Sequence, residues 1–286
     1  MKVKKLLTCL LIASLFIGVF SGMTLAGKGD VVSLGADLTK EQRNKILQEF
    51  GVKEDEVSII EVSIEDVKRY LESATSKEIG TQAFSSAHVK LKSEGEGIIV
   101  NTNNISLVTK EMYANAMATA GVKDAEIKVT APFTVTGTTA LTGVMMAFEE
   151  ATGKKLDENA KKVANEELKL TQNISEDLGS DQATELIRKV KAEILGQDIK
   201  NPEDIRRVIA NIANELGITL SDEQIDQILR LMERISKLDL NVDSILSQLD
   251  KLEKNIDIVR DTIEENKGFF QKIIDKVLDW LRSIFG

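Results

Sequence analysis

Apolar residues change their spacing along the chain. Between Asp30 and Ala151, runs of period two alternate with runs of three and four; from about Leu156 onward only the helical spacing remains. Thr39 and Gln42 form a capping box opening a helix through Ile46, Leu47 and Phe50, and Gly51 stops it. Val57 to Val62 is rich in β-branched residues and predicts a strand. Ser63 then caps a helix carrying Ile64, Val67, Tyr70 and Leu71. Ala83, Ala87, Val89 and Leu91 mark a second strand, Gly95-Glu96-Gly97 a turn, and Ile98-Ile99-Val100 a third strand. Thr109 caps a helix through Met112, Ala116 and Met117 that ends at Gly121, and Ala125 to Val129 gives a fourth strand. The order from Val57 to Val129 is strand, helix, strand, strand, helix, strand, which is that of a split β-α-β, ferredoxin-like sandwich. A connection rich in glycine and threonine, Val135 to Gly143, leads into a helix with Met145, Met146 and Phe148.

Beyond it the pattern predicts helices at Leu156–Leu178, Asp181–Leu195, Pro202–Leu216, Ser221–Leu238 and Val242–Glu265, and a last one from about Phe269 to Phe285. Val242, Ile245, Leu249, Leu252, Ile256, Val259 and Ile263 alternate in steps of three and four, a heptad seam. Asp239, Asn241 and Asp243 are poor helix formers, and a break there turns the array back into an antiparallel bundle. An unbroken seam would instead support self-association. The expected fold is therefore α+β: a ferredoxin-like sandwich followed by an all-helical, partly coiled-coil region. Its parts are a signal peptide (1–26), an α+β domain (27–151), a helical domain (152–240), and the heptad helix with a C-terminal amphipathic helix (241–286).

In that last helix Phe269, Phe270, Ile273, Ile274, Val277, Leu278, Trp280, Leu281, Ile284 and Phe285 cover about half the circumference. Such a face closes a bundle core, fills a groove on a partner, or lies on a membrane. These residues are the expected contact with a protein partner in the cell envelope or with the membrane surface.

The start of the chain sets the compartment. Lys2, Lys4 and Lys5 precede an apolar run from Leu6 to about Phe20, and Thr24-Leu25-Ala26 resembles a cleavage site. Cleavage would remove Cys9, the one cysteine, and shift the net charge from -9 to about -12. An acidic chain is poorly suited to nucleic acid, whose phosphates require neutralisation by Lys and Arg. An exported protein without disulfides fits a Gram-positive envelope. With 4% aromatic residues and two prolines, the composition favours helices packed by aliphatic side chains.

Several blocks resemble a known family. They are Asp30-Val31-Val32-Ser33-Leu34-Gly35-Ala36-Asp37-Leu38-Thr39 with Glu41-Gln42-Arg43; Glu78-Ile79-Gly80-Thr81 with Ser85-Ser86-Ala87; and Met112-Tyr113-Ala114-Asn115-Ala116 through Ala131-Pro132-Phe133 to Gly137-Thr138 and Ala140-Leu141-Thr142-Gly143. Together they resemble the exported bacterial family called domain of unknown function 1002, the YpuA-like proteins. The resemblance is dense over residues 30–150 and looser to about Leu240. It implies a secreted, envelope-associated protein of low-GC Gram-positive bacteria and carries no catalytic residue, cofactor or substrate.

The search for reactive groups is brief. His88 is the one histidine, and without cysteine the usual zinc ligand sets are absent. No Gly-x-Ser-x-Gly elbow or Ser-x-x-Lys pair occurs. Asp239, Asn241, Asp243 and Asp250 imitate a calcium loop, but Ser244 stands where the sharp turn needs glycine. Gly137, Thr138 and Thr139 precede a helix and could hold an anion at its start. No catalytic, cofactor-binding or metal residue is assigned. The expected role is that of an envelope-associated, non-enzymatic binding or structural protein acting through apolar helical surfaces. The alternative is an enzyme acting on cell-wall polymers with acidic residues such as Asp37 and Glu41.

Overall fold

A computed structural model describes residues 29–71 and 80–254. Five strands, β1 (Asp30–Gly35), β2 (Ser58–Val62), β3 (Ser86–Leu91), β4 (Ile98–Thr102) and β5 (Ala125–Thr130), form one sheet in the order β2-β1-β3-β5-β4. Around it lie α1 (Lys40–Phe50), α2 (Ile64–Lys68), α3 (Lys110–Ala120), α4 (Ala140–Thr152), α5 (Glu158–Leu178), α6 (Ser180–Gly196), α7 (Pro202–Glu215) and α8 (Asp222–Ile235). A further helix, α9, covers residues 242–254 of those described. The fold is α+β and mostly helical. Among the described residues no strand follows β5.

The strand order departs from the ferredoxin-like one. Two parallel pairs, β1 with β2 and β4 with β5, flank β3, which runs antiparallel to both of its neighbours. Each pair is a β-α-β unit with no strand inserted between its partners, through α1 in one and α3 in the other. The difference traces to β1, which the sequence pattern did not reveal. Val31 to Gly35 are all buried, so the strand lacks the alternation that marks a half-solvated one. By pairing with both β2 and β3, β1 displaces β2 to an edge.

The sheet is covered on both faces. Val32 and Leu34 pack against Ile46, Leu47 and Phe50 of α1. Val31, Val89, Ile127 and Val129 face the core that holds α3 and α4. Capping boxes at Thr39 and Ser63, and Thr109 accepting from the Met112 amide, start α1, α2 and α3 as expected. Helix α4 passes so close to β1 that a Cβ on Gly143 would lie 2.8 Å from Ser33 Oγ.

Residues Met112 to Ala120 of α3 are all buried, because α5 covers the side of α3 that the sheet does not. Ala164 and Leu168 of α5 join the sheet's core, while Val163 and Ile174 belong to a second core with α6, α7 and α8. The expected break falls where the Asn241 side chain accepts from the Ser244 amide at 2.8 Å. Beyond it Ile245, Leu249 and Leu252 of the seam enter the sheet's core, so these three positions are covered by their own chain. The proposed signal segment, the seam from Ile256 onward and the final amphipathic helix lie outside the described residues. No described helix is long and apolar enough to cross a membrane.

Candidate functional site

Near Leu91 at the end of β3, α3 ends at Gly121 and α4 at Gly153, and together they border a cleft of about 590 Å³. Its apolar floor is Leu91, Phe148, Ala151 and Leu156; Lys123, Glu150, Lys154 and Lys155 stand at its mouth. A volume of this order suits a small ligand or an apolar side group. Gly29, the first described residue, packs against Leu91. The carbonyl-rich ends of α3 and α4 account for part of the lysine placement, since a cation there gains about 0.3–1 kcal/mol. They do not account for the open apolar floor.

One wall of the cleft is fixed by Glu149. Its carboxylate accepts from Lys161 Nζ at 2.9 Å, Lys155 Nζ at 3.0 Å and the Leu156 amide at 2.9 Å, which ties the loop after α4 back onto the helix. Burial pushes this carboxyl up, but those three donors more than offset it and hold it below the usual range. Lys161 is also buried. Burial alone would lower it, yet Glu158 and Glu149 keep it above the ordinary lysine value, with the Tyr70 ring 5.1 Å away.

A second, mostly polar cleft of about 320 Å³ opens on the sheet face beside α1. There the buried His88 meets Asp30, with the Phe50 ring 5.6 Å from the imidazole, and Glu56, Lys90, Glu126 and Lys128 complete the walls. Cross-strand register puts His88 opposite Lys128 and Lys90 opposite Glu126.

The predicted anion-binding turn is contiguous but mostly engaged. Tyr113 donates its hydroxyl to the Gly137 carbonyl, and burial pushes that phenol far up. Thr138 is buried and donates to Gln172 Oε1 at 3.1 Å. Thr139 bonds Ser85 Oγ at 3.4 Å instead of a first-turn amide, so α4 starts without a side-chain cap. Asp37 spends its carboxylate on the Ala83 amide at 2.7 Å, and Glu41 lies in the first turn of α1. The contact residues Phe269, Phe270, Ile273, Ile274, Val277, Trp280, Leu281, Ile284 and Phe285 lie outside the described residues. Among the described residues no group of three or more His, Cys, Asp or Glu could hold a metal ion.

Neither cleft was read from the sequence. Leu91, Lys123, Phe148 and Leu156 come from separate elements and share no spacing; Lys154-Lys155 behind a helix-ending glycine was the one local hint.

Residues 34–252 match the family described as Protein of unknown function (DUF1002). The chain belongs to that family. It is 37% identical over 252 residues to the Uncharacterized protein YpuA of Bacillus subtilis (strain 168), with 87% of each chain covered. No solved structure matches it. The DUF1002 match contains every residue of the apolar cleft and all but Asp30 of the polar one.

Proposed function

We propose that the chain is an exported, envelope-associated binding protein of a Gram-positive bacterium that acts without catalysis. Its cleft between α3, α4 and β3 takes the apolar part of an amphiphile whose acidic group meets Lys123 and Lys154. The observation carrying this reading is an open apolar floor beneath cations in a chain of net charge -9. The apolar residues from Phe269 to Phe285 add a contact to a partner or the membrane surface, as their sequence pattern suggests.

The test is binding of the mature chain to vesicles of phosphatidylglycerol and of phosphatidylcholine. Each lysine contributes about 1 kcal/mol near an anionic surface, so Lys123→Glu with Lys154→Glu, a change of four charges, should weaken phosphatidylglycerol binding about a thousandfold. Equal binding to both lipids, or no effect of the double variant, rejects the cleft. A chain ending at Gly268 that fractionates with the envelope like the full chain rejects the C-terminal contact.

A second reading, an enzyme acting on wall polymers, draws on the polar cleft where Asp30, Glu56 and Glu126 share walls with His88. It requires turnover of purified wall polymer that Asp30→Asn abolishes.

A further inference from the structure

Helices α3, α5 and α6 are joined by polar groups without access to water. The side chains of Lys191 in α6 and Glu167 in α5 are 0% and 1% exposed, and Asn115 in α3 is 1% exposed. Lys191 Nζ donates to three oxygens, each at 2.8 Å: the backbone carbonyl of Asn115, Thr119 Oγ1 and Glu167 Oε1. Thr119 in turn donates its hydroxyl to the other oxygen of Glu167. One member of the cluster is left out. The carboxamide of Asn115 has no partner for Nδ2 or for Oδ1. A buried amide with both polar atoms idle is an anomaly in a folded protein.

We propose that Lys191 and Asn115 become joined by an intramolecular isopeptide bond, formed without any other protein or cofactor, with Glu167 as the proton carrier.

The chemistry needs an uncharged amine, a carboxamide and a carboxyl group shielded from water. Burial pulls Lys191 below the ordinary lysine range, and Glu167 offsets this incompletely. The ammonium that donates these three hydrogen bonds becomes a nucleophile by passing one proton to the Glu167 carboxylate that accepts from it, which frees the Nζ lone pair. The Nζ lone pair attacks Asn115 Cγ while the Glu167 carboxyl polarises the amide oxygen. The proton lost by Nζ passes to Glu167 and then to the departing nitrogen, which leaves as ammonia. One C–N bond forms, one breaks, and nothing is oxidised. The Thr119 hydroxyl between Nζ and Glu167 offers the proton a path. Attack requires the Asn115 side chain to turn its carboxamide towards Nζ, which already touches the same residue's carbonyl. No hydrogen bond resists that rotation, because neither polar atom of the amide holds one.

Intact-mass measurement of the denatured mature chain tests the bond independently of any variant's folding. The expected mass is that of the sequence less one ammonia. Peptide mapping should recover the segments containing Asn115 and Lys191 as one linked species. Asn115→Ala and Lys191→Arg should restore the full sequence mass, and Glu167→Gln should leave the bond largely unformed. A wild-type chain at full sequence mass overturns the proposal. So does loss of ammonia without a linked peptide pair, as a cyclised asparagine would give.

Discussion

Replacing Glu149 with alanine should be among the most costly single changes in the protein. The side chain is 5% exposed and satisfies three donors, two of them lysine ammonium groups. Without it Lys161, itself 3% exposed, keeps among the described residues Glu158, whose side chain is 66% exposed, and the face of Tyr70. Stranding one partner of a buried pair costs about 3–5 kcal/mol, and the surviving contact to Glu158 reduces this to about 2–4 kcal/mol near neutral pH. The pH dependence identifies the cause. The folded carboxyl titrates below its ordinary value of 4.5, so the unfolded chain binds the proton more readily. The stabilisation is therefore complete above that value and disappears as pH falls through the folded one. Urea unfolding of wild type and Glu149→Ala at several pH values and constant salt measures the gap. It should be widest near neutrality and narrow in acid. A gap below about 1 kcal/mol at neutral pH, or one that does not shrink in acid, would refute the reasoning.

Gly137 sits at φ +96 with Tyr113 Oη 2.6 Å from where a Cβ would stand and Ile105 also in the way. Gly137→Ala should therefore destabilise by about 1–3 kcal/mol, read as a lowered melting temperature; an unchanged Tm contradicts this account. Asn241→Ala removes the acceptor for the Ser244 amide at the start of α9 and should cost about 0.5–2 kcal/mol, with Asn241→Asp close to wild type in the same denaturant titration.

The sequence disclosed elements wherever a local rule was sufficient. Thr39 with Gln42, Ser63 and Thr109 placed the starts of α1, α2 and α3, because a cap needs only residues within one turn. The break before α9 was legible from the poor helix propensity of Asp239, Asn241 and Asp243, which is likewise a local property. Strand order was not, because the neighbour of β2 depends on β1, a segment buried on both faces whose pattern gives no period. The apolar cleft was hidden by distance, since its floor joins Leu91 to residues around Phe148. The buried lysine did leave a trace. Lys191 stands at helical spacing from Ile187 and Ile194, both fully buried, so a charge occupied a position that the pattern reserves for the core.

The division at residue 151 that the change of spacing suggests can be tested as a physical claim. Leu168 of α5 and Ile245, Leu249 and Leu252 of α9 share a core with Met112, Met117, Ile127 and Phe148. A fragment of residues 27–151 would lose these four large side chains, each worth about 1.5–3 kcal/mol of burial, or about 6–12 kcal/mol together. That is comparable to the whole stability of an ordinary domain, about 5–15 kcal/mol. It would also expose the outer side of α3, whose buried residues include the polar Asn115 and Thr119. The fragment should therefore bind a hydrophobic dye, lack near-ultraviolet circular dichroism and unfold without cooperativity. A monomeric fragment with a sharp unfolding transition would show that α5 and α9 decorate the sheet's core. Failure to fold would show that they complete it, and that the helical region and the sheet form one cooperative folding unit.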